Sequence, residues 1–296
     1  MMADDLARIR ALPIWSAPAE PQPLHGGLSN QSYTVEDAGQ KYVVRLGRDY
    51  VFHHVIRERE LMTARAAHAG GFAPEVVHAE PGLTVSRFIA GKPFSEADMR
   101  AKIPDVAAIV RRFHDEMPRH VSGPGFIFWP FHVIRDYALT LSAGGSAFAG
   151  ELPGWLALAE ELEAAQVALP IVFGHHDFLP GNIIDDGDRL WMIDFEYAGF
   201  GTAMFDLAGI ASNAEFSADE SDALLGHYFD RRPSPSIRRA HAAMQSASLL
   251  REAMWGMVSA LHLDNPGIDY AAYARMNLER LAAALDAYRT RYGKET

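Results

Sequence analysis

An α+β fold in two lobes, a small antiparallel sheet lobe ahead of a large mainly helical one, is what this sequence predicts. Three observations predict it. The first ninety residues read as alternating strands with one long helix, the residues from Ser95 onward read almost wholly as helices, and the punctuation Gly91-Lys92-Pro93 falls between them. A chain of 296 residues also has room for two lobes, because single cores stop growing near about 250 to 300 residues. The expected division is 1–90 and 91–296.

The elements follow in order. Asp5 to Leu12 reads as a short helix, and the four prolines between Pro13 and Pro23 make a connector. "SYTVEDAGQKYVVRLG" alternates apolar and polar residues on both sides of Asp37-Ala38-Gly39-Gln40, the pattern of a hairpin with a glycine-containing turn. Val55 to Ala69 has helical spacing and stops at Gly70-Gly71. "PEVVHAEPGLTVSRFIAG" reads as two more strands. Helices are expected at Glu96 to Glu116, Val133 to Leu141, Trp155 to Val167, Ser217 to Phe229, Ser236 to Leu263 and Tyr270 to Tyr292. The exception in this second part is "NIIDDGDRLWMIDF", where Asp186-Gly187 between two apolar runs predicts a tight hairpin. No internal repeat or low-complexity tract interrupts the pattern.

Composition narrows the function classes. Hydrophobic residues make up 49% of the chain and charged residues 22%, an ordinary balance for a globular protein. There is no cysteine, which rules out disulfides and thiolate metal sites and suits a reducing cytoplasm. Met1-Met2-Ala3-Asp4-Asp5-Leu6 starts acidic without an apolar signal core, and no run approaches the roughly 20 apolar residues of a membrane span. A cytoplasmic protein with no membrane partner is expected. A formal charge of -11 opposes attraction to phosphate backbones, so nucleic acid is not expected as a partner, while a cationic small molecule is tolerated. Oligomeric state is not legible.

The densest chemistry lies at "GHHDFLPGN", Gly174 to Asn182, just after the apolar run Leu169 to Phe173. Pro180-Gly181 bends the chain between Asp177 and Asn182, so a carboxylate and an amide can face one ligand. Asp194 ends the apolar run of the hairpin that starts right after Asn182. Three hard oxygen groups at one end of a small sheet suit Mg²⁺ better than zinc. Zinc is disfavoured again because adjacent histidines on an extended segment point to opposite faces, and no H-x-x-x-H helical pair exists. Each of these residues alone is common turn chemistry; in combination and in this order they are not.

The order carries a resemblance. His175-His176-Asp177-Phe178-Leu179-Pro180-Gly181-Asn182 resembles the protein-kinase catalytic loop H-R-D-x-x-x-x-N, with Asp194-Phe195-Glu196 in the place of D-F-G. "HHDFLPGN" with "IDFEYAG" and "FDLA" looks like the choline/ethanolamine kinase branch of the aminoglycoside phosphotransferase-like kinases, over most of the chain. The resemblance implies a protein-kinase-like bilobal fold, with 1–90 as nucleotide-binding lobe and 91–296 as catalytic and substrate-binding lobe, and it implies ATP and Mg²⁺. Asp177 is then the residue that takes or orients the proton of the acceptor hydroxyl, and Asn182 and Asp194 are the metal ligands. Asp206 in "FDLA" is expected in a structural role, as a cap or a brace beneath the loop.

For the nucleotide, "HGGLSNQSY" resembles the family's phosphate loop, which gives Gly27, Ser29 and Asn30 cofactor-binding roles. Arg45 stands where kinases carry the strand lysine, and Glu60 of the R-x-x-E pattern starting at Arg57 is its expected partner. Ser86-Arg87-Phe88-Ile89 is the expected hinge, with Arg87 and Phe88 beside adenine. For the acceptor, a small amino alcohol, the resemblance points to Glu196, Tyr197, Trp255, Tyr270 and Tyr273. Aromatic faces recognise quaternary ammonium groups, and Tyr270 and Tyr273 share a helical face. Core packing is the competing reading of these rings, and Val258 stands where a second tryptophan often follows the first. The activity implied is transfer of the ATP γ-phosphoryl group to choline or ethanolamine. Alternatives are a kinase of another amine alcohol, such as thiamine or an aminoglycoside, and a binding-only pseudokinase, which normally lacks one of the three loop and metal residues present here.

Overall fold

The computed structural model describes residues 2–24, 31–265 and 267–293. The first part opens with α1 (Met2–Arg10) and builds a five-stranded antiparallel sheet from β1 (Gln22–Leu24), β2 (Gln31–Asp37), β3 (Gln40–Leu46), β4 (Val76–Glu80) and β5 (Leu83–Arg87), in the order β1-β2-β3-β5-β4. The helix α2 (Arg57–Ala69) crosses between β3 and β4. At the predicted hairpin turn Ala38 and Gly39 both take positive φ, 48° and 75°, the twist-matched geometry for a two-residue loop. Period-two alternation on β3 sends Val44 and Leu46 into a small core with Ile9, Leu12, Tyr33, Val35, Leu83 and Val85. Arg45, between them, is left on the other face.

The remainder is mainly helical, as expected. It runs β6 (Lys92–Pro93), α3 (Glu96–Ala101), α4 (Ile103–Glu116), α5 (Pro130–Ala143), α6 (Leu152–Ala164), β7 (Ile171–Gly174), β8 (Ile183–Asp185), β9 (Leu190–Met192), β10 (Gly199–Thr202), α7 (Ala203–Asn213), α8 (Ala218–Phe229), α9 (Pro235–His262) and α10 (Tyr270–Tyr292). β7 pairs antiparallel with β10, and β6, β8 and β9 form a second small sheet. The helix expected over 96–116 is two helices that part at Lys102, because Pro104 starts a new first turn in α4. Ser95 and Ser217 close capping boxes with Asp98 and Glu220 at the starts of α3 and α8.

α9 is the central helix: α5, α6, α7 and α10 all pack on it. From Ser246 to Ser259 every residue of α9 is buried except Glu252. The larger core also takes in Tyr50, Val55, Ala66, Ala67 and Phe72 from the chain around α2, so α2 is seated on the helical part while the sheet keeps a core of its own. No helix among the described residues is long and apolar enough to cross a membrane.

Candidate active site

The candidate catalytic loop leaves the β7–β10 ladder at Gly174 and is braced from beneath. His176 sits at φ 62°, a left-handed conformation that non-glycine residues adopt only where the surroundings hold it. Asp206, at the start of α7, supplies that hold: its carboxylate accepts the backbone N–H of His175 at 2.9 Å, that of His176 at 2.7 Å and the Nε2–H of His114 at 2.8 Å. Burial opposes the charge of Asp206, yet His176 and His114 beside it keep its carboxyl well below the usual carboxylate range. His176 Nε2 donates to the Gly199 carbonyl at 3.1 Å, and its ring stacks on Phe128 with centroids 4.6 Å apart. Glycine at 174 is required by space: a Cβ there would lie 2.3 Å from His176 Cε1 and 2.7 Å from Asp206 Oδ2.

Two further bonds bring the three predicted oxygen groups together. Asn182 Nδ2 donates to the Asp177 carbonyl at 2.8 Å and leans on its Oδ2 at 3.4 Å. The Ile193 N–H donates to the Asn182 carbonyl at 3.0 Å, and His175 Nε2 donates to the Ile193 carbonyl at 2.9 Å. The strand end that carries Asp194 is thereby fixed to both ends of the loop. Asp194 itself takes φ 68°, and this turn aims its carboxylate at the sheet. Burial, and next to it the charge of Asp194, push the Asp177 carboxyl well above its ordinary value.

Arg45 reaches down from β3 into this group. Its Nη1 meets Glu60 Oε1 at 3.0 Å, the partner predicted from sequence, and its Nη2 meets Asp194 Oδ1 at 2.7 Å and Glu196 Oε2 at 3.3 Å. Arg57, a residue the site prediction left out although it begins the R-x-x-E pattern, binds Glu60 at 2.5 Å and Glu196 at 3.1 Å. Two arginines and three carboxylates thus interlock beneath the sheet. Glu196, expected beside the acceptor, belongs to this network and is buried in it. Glu196 and Tyr197 are the central residues of a tight turn closed by the Ala198 N–H on the Phe195 carbonyl at 3.1 Å, and their side chains part, Glu196 to Arg45 and Arg57 and Tyr197 to Trp255.

The remaining lone pairs fit a small hard cation. Asn182 spends its amide N–H₂ on Asp177, so its Oδ1 is left to ligate; Asp194 spends Oδ1 on Arg45, so Oδ2 is left. Two protein oxygens with room for water and phosphate are what Mg²⁺ takes in nucleotide enzymes. Among the described residues no cluster of three His, Asp or Glu side chains forms an all-protein metal cage, in keeping with that sparse set.

The aromatics expected for the acceptor do converge. Trp255 meets Tyr270 and Tyr273 edge to face, with centroids 5.9 and 5.5 Å apart, and its Nε1–H donates to the Tyr197 hydroxyl at 3.0 Å. Three residues that sequence reasoning missed complete the group. His53 stacks on Trp255 with centroids 5.1 Å apart while its ring nitrogens bind the Tyr137 hydroxyl at 3.1 Å and Ser259 at 2.8 Å. Glu252 accepts the Tyr273 hydroxyl at 2.8 Å, and the buried Arg251 pairs with Glu252 and lies 4.5 Å over the Tyr197 ring. Glu252 lies three residues before Trp255 on one helix face, the spacing that could have found it.

At the expected hinge two backbone donors are already engaged. The Arg87 N–H donates to the Glu75 carbonyl and the Phe88 N–H to the Lys41 carbonyl, so neither is offered to adenine. The Arg87 side chain pairs with Glu75 on an exposed surface, and Lys41 Nζ sits 4.5 Å over the Phe88 ring. The cause is the strand continuing as β5 through Arg87. Gly27, Ser29 and Asn30 lie outside the described residues.

Comparison with known proteins identifies the family. The model of the phosphotransferase enzyme family matches residues 20–245. Protein LicA of Haemophilus influenzae is 26% identical over 275 residues, covering 88% of this chain and 77% of LicA. A probable ethanolamine kinase of Arabidopsis thaliana is 26% identical over 271 residues, covering 79% of this chain and 71% of its own. Among solved structures, a choline/ethanolamine kinase family protein from Mesorhizobium loti superposes with a TM-score of 0.76 at 28% identity, over 97% of this chain and 95% of that one.

Proposed function

Because the chain belongs to the phosphotransferase enzyme family, we propose that it is an ATP-dependent small-molecule kinase that transfers the γ-phosphoryl group to the hydroxyl of choline or ethanolamine. The single observation that carries this reading is the joint placement of Asp177, Asn182 and Asp194 at the end of the loop, with Arg45 held against Asp194 and Glu60. A binding-only protein has no use for a desolvated carboxylate next to a metal-competent pair.

The chemistry follows from these positions. Asp177 accepts the proton of the acceptor hydroxyl as its oxygen attacks the γ-phosphorus; the new O–P bond forms as the bond to the β-phosphate oxygen breaks, and ADP leaves. A carboxylate whose proton affinity is raised by burial is a better base for this than an exposed one. Arg45, fixed by two acids, presents a planar guanidinium to the phosphates, a fork rather than the point charge of a lysine. Asn182 and Asp194 would hold Mg²⁺, which neutralises phosphate charge in such reactions. Most of the acceleration comes from positioning and electrostatics, as phosphoryl transfer requires little covalent help.

The test is ADP release with MgATP over choline, ethanolamine, thiamine and several aminoglycosides. Turnover is expected with the amino alcohols, and Asp177→Asn is expected to lower kcat by about a hundredfold or more with the fold intact by circular dichroism. Near-normal turnover in that variant defeats the assignment of Asp177, and turnover confined to an aminoglycoside or thiamine replaces the acceptor.

A further inference from the structure

Every residue of α9 between Ser246 and Ser259 is buried except one, and that one is a carboxylate. The Glu252 side chain is 18% exposed, whereas its neighbour Arg251 is 2% exposed. Arg251 thus stands behind Glu252 and the acid faces outward. The orientation of the acid is fixed: the Tyr273 hydroxyl donates to Oε2 at 2.8 Å and Arg251 Nη1 bonds Oε1. Each carboxylate oxygen has a second lone pair, so the group is aimed and still able to accept. It lies near enough to Asp177 for the two like charges to act on each other, with Arg251 offsetting part of the repulsion; an acceptor cation between the two acids would relieve the rest.

The rings beside it are differently committed. A quaternary ammonium, having no N–H, is recognised by open aromatic faces. Here one face of Trp255 is covered by His53 with 22° between the planes, and Tyr270 and Tyr273 pack against it in T-shaped contacts at 70° and 72°. The Trp255 N–H is spent on Tyr197, and both Trp255 and Tyr270 are buried. Val258, at the next helical position, is buried and offers no ring. The aromatic group therefore packs on itself, and the polar group it leaves available is Glu252.

We infer that Glu252 is the specificity-determining residue of the acceptor pocket: its carboxylate receives the ammonium of the acceptor and selects amino alcohols that carry N–H donors over quaternary ones. The inference rests on the phosphotransferase reading for the location of the acceptor. Tyr273 and Arg251 are positioning residues that hold Glu252 in place, and the acceptor hydroxyl lies toward Asp177.

The experiment is a methylation series, ethanolamine, N-methylethanolamine, N,N-dimethylethanolamine and choline, measured by ADP release with MgATP and by calorimetric titration of each acceptor into the protein. In the wild type, kcat/KM for choline is expected about 10- to 100-fold below that for ethanolamine, the worth of one charge-assisted hydrogen bond. The largest drop falls at the last methyl, which removes the last N–H. Glu252→Gln is expected to raise the ethanolamine KM by a similar factor with kcat little changed, to leave choline within a few fold, and so to flatten the series. Tyr273→Phe, which frees the acid without removing it, moves the series the same way by several fold. Choline used as well as ethanolamine by the wild type, or one common factor lost for all four acceptors in Glu252→Gln, overturns the inference. If none of the four is phosphorylated but ethanolamine binds more tightly than choline and Glu252→Gln abolishes the difference, the phosphotransfer reading falls and the inference stands. Equal binding in that case ends both.

Discussion

Replacing Asp206 with asparagine tests whether a buried carboxylate shapes the catalytic loop. Asp206 is 1% exposed and accepts three hydrogen bonds, Oδ1 from His176 and Oδ2 from both His175 and His114. Asparagine retains one acceptor oxygen. In its better orientation the amide nitrogen faces the His176 N–H, which is then buried and unpaired at a cost of about 1–3 kcal/mol. The two surviving bonds lose their charge assistance, a further roughly 1 kcal/mol each. The total, about 3–5 kcal/mol, matches what breaking a buried ionic contact costs and is a large fraction of the roughly 5–15 kcal/mol of a folded protein. For a chain of this size that is a fall in Tm of about 6 to 20 °C, at about 2–4 °C per kcal/mol. Because His176 is held at φ 62° by the bond that is lost, Asp177 shifts with it, and kcat drops by about tenfold or more. Thermal unfolding by circular dichroism and ADP release from the same preparation read both effects. A variant with Tm within about 2 °C of the wild type and unchanged kcat refutes the brace.

Two other perturbations follow from the packing. Gly174→Ala places a methyl against His176 and Asp206, and stacking on Phe128 prevents the His176 ring from swinging away; a loss of about 1–3 kcal/mol in urea unfolding is expected, and an unchanged midpoint would show that the loop yields. His53 is pushed down to about 2 by burial and by the charge of Arg251, so it stays neutral in the folded protein while the unfolded chain protonates below about pH 6.5. Its contribution is complete above that pH and is lost on acidification, by up to about 1.4 kcal/mol per unit. Between pH 6.5 and 5 the wild type should therefore lose roughly 2 kcal/mol more than His53→Gln, and parallel losses would contradict the assignment.

What could be read from the sequence was local. The loop Asp177 to Asn182 and the hairpin after it follow from turn residues acting on their neighbours, whereas Arg45 with Glu60 came only from the resemblance to the kinase family. α7 went unread because Ala203 to Ser212 are buried on every side, which leaves no polar face to give a 3.6-residue period. The ion pairs of Glu196 with Arg45 and Arg57 are not legible in the sequence, because its direction depends on the backbone turn at Asp194, a conformation that composition does not reveal. The rings of Tyr270, Tyr273 and Trp255 were legible as one cluster, yet the face of Trp255 is covered by His53, 202 positions earlier in the chain. Long-range contacts of that kind decide whether an aromatic cluster is a cage or a core.

The account stands or falls on a divalent cation shared by Asn182 and Asp194 beside Asp177. Isothermal titration of ADP into the wild type and into Asp194→Asn, each with and without Mg²⁺, measures this without depending on any acceptor. Mg²⁺ is predicted to tighten ADP binding by about tenfold or more in the wild type and to have little effect in the variant, since one charged ligand of a sparse set is gone. The same Mg²⁺ enhancement in both proteins would contradict the site.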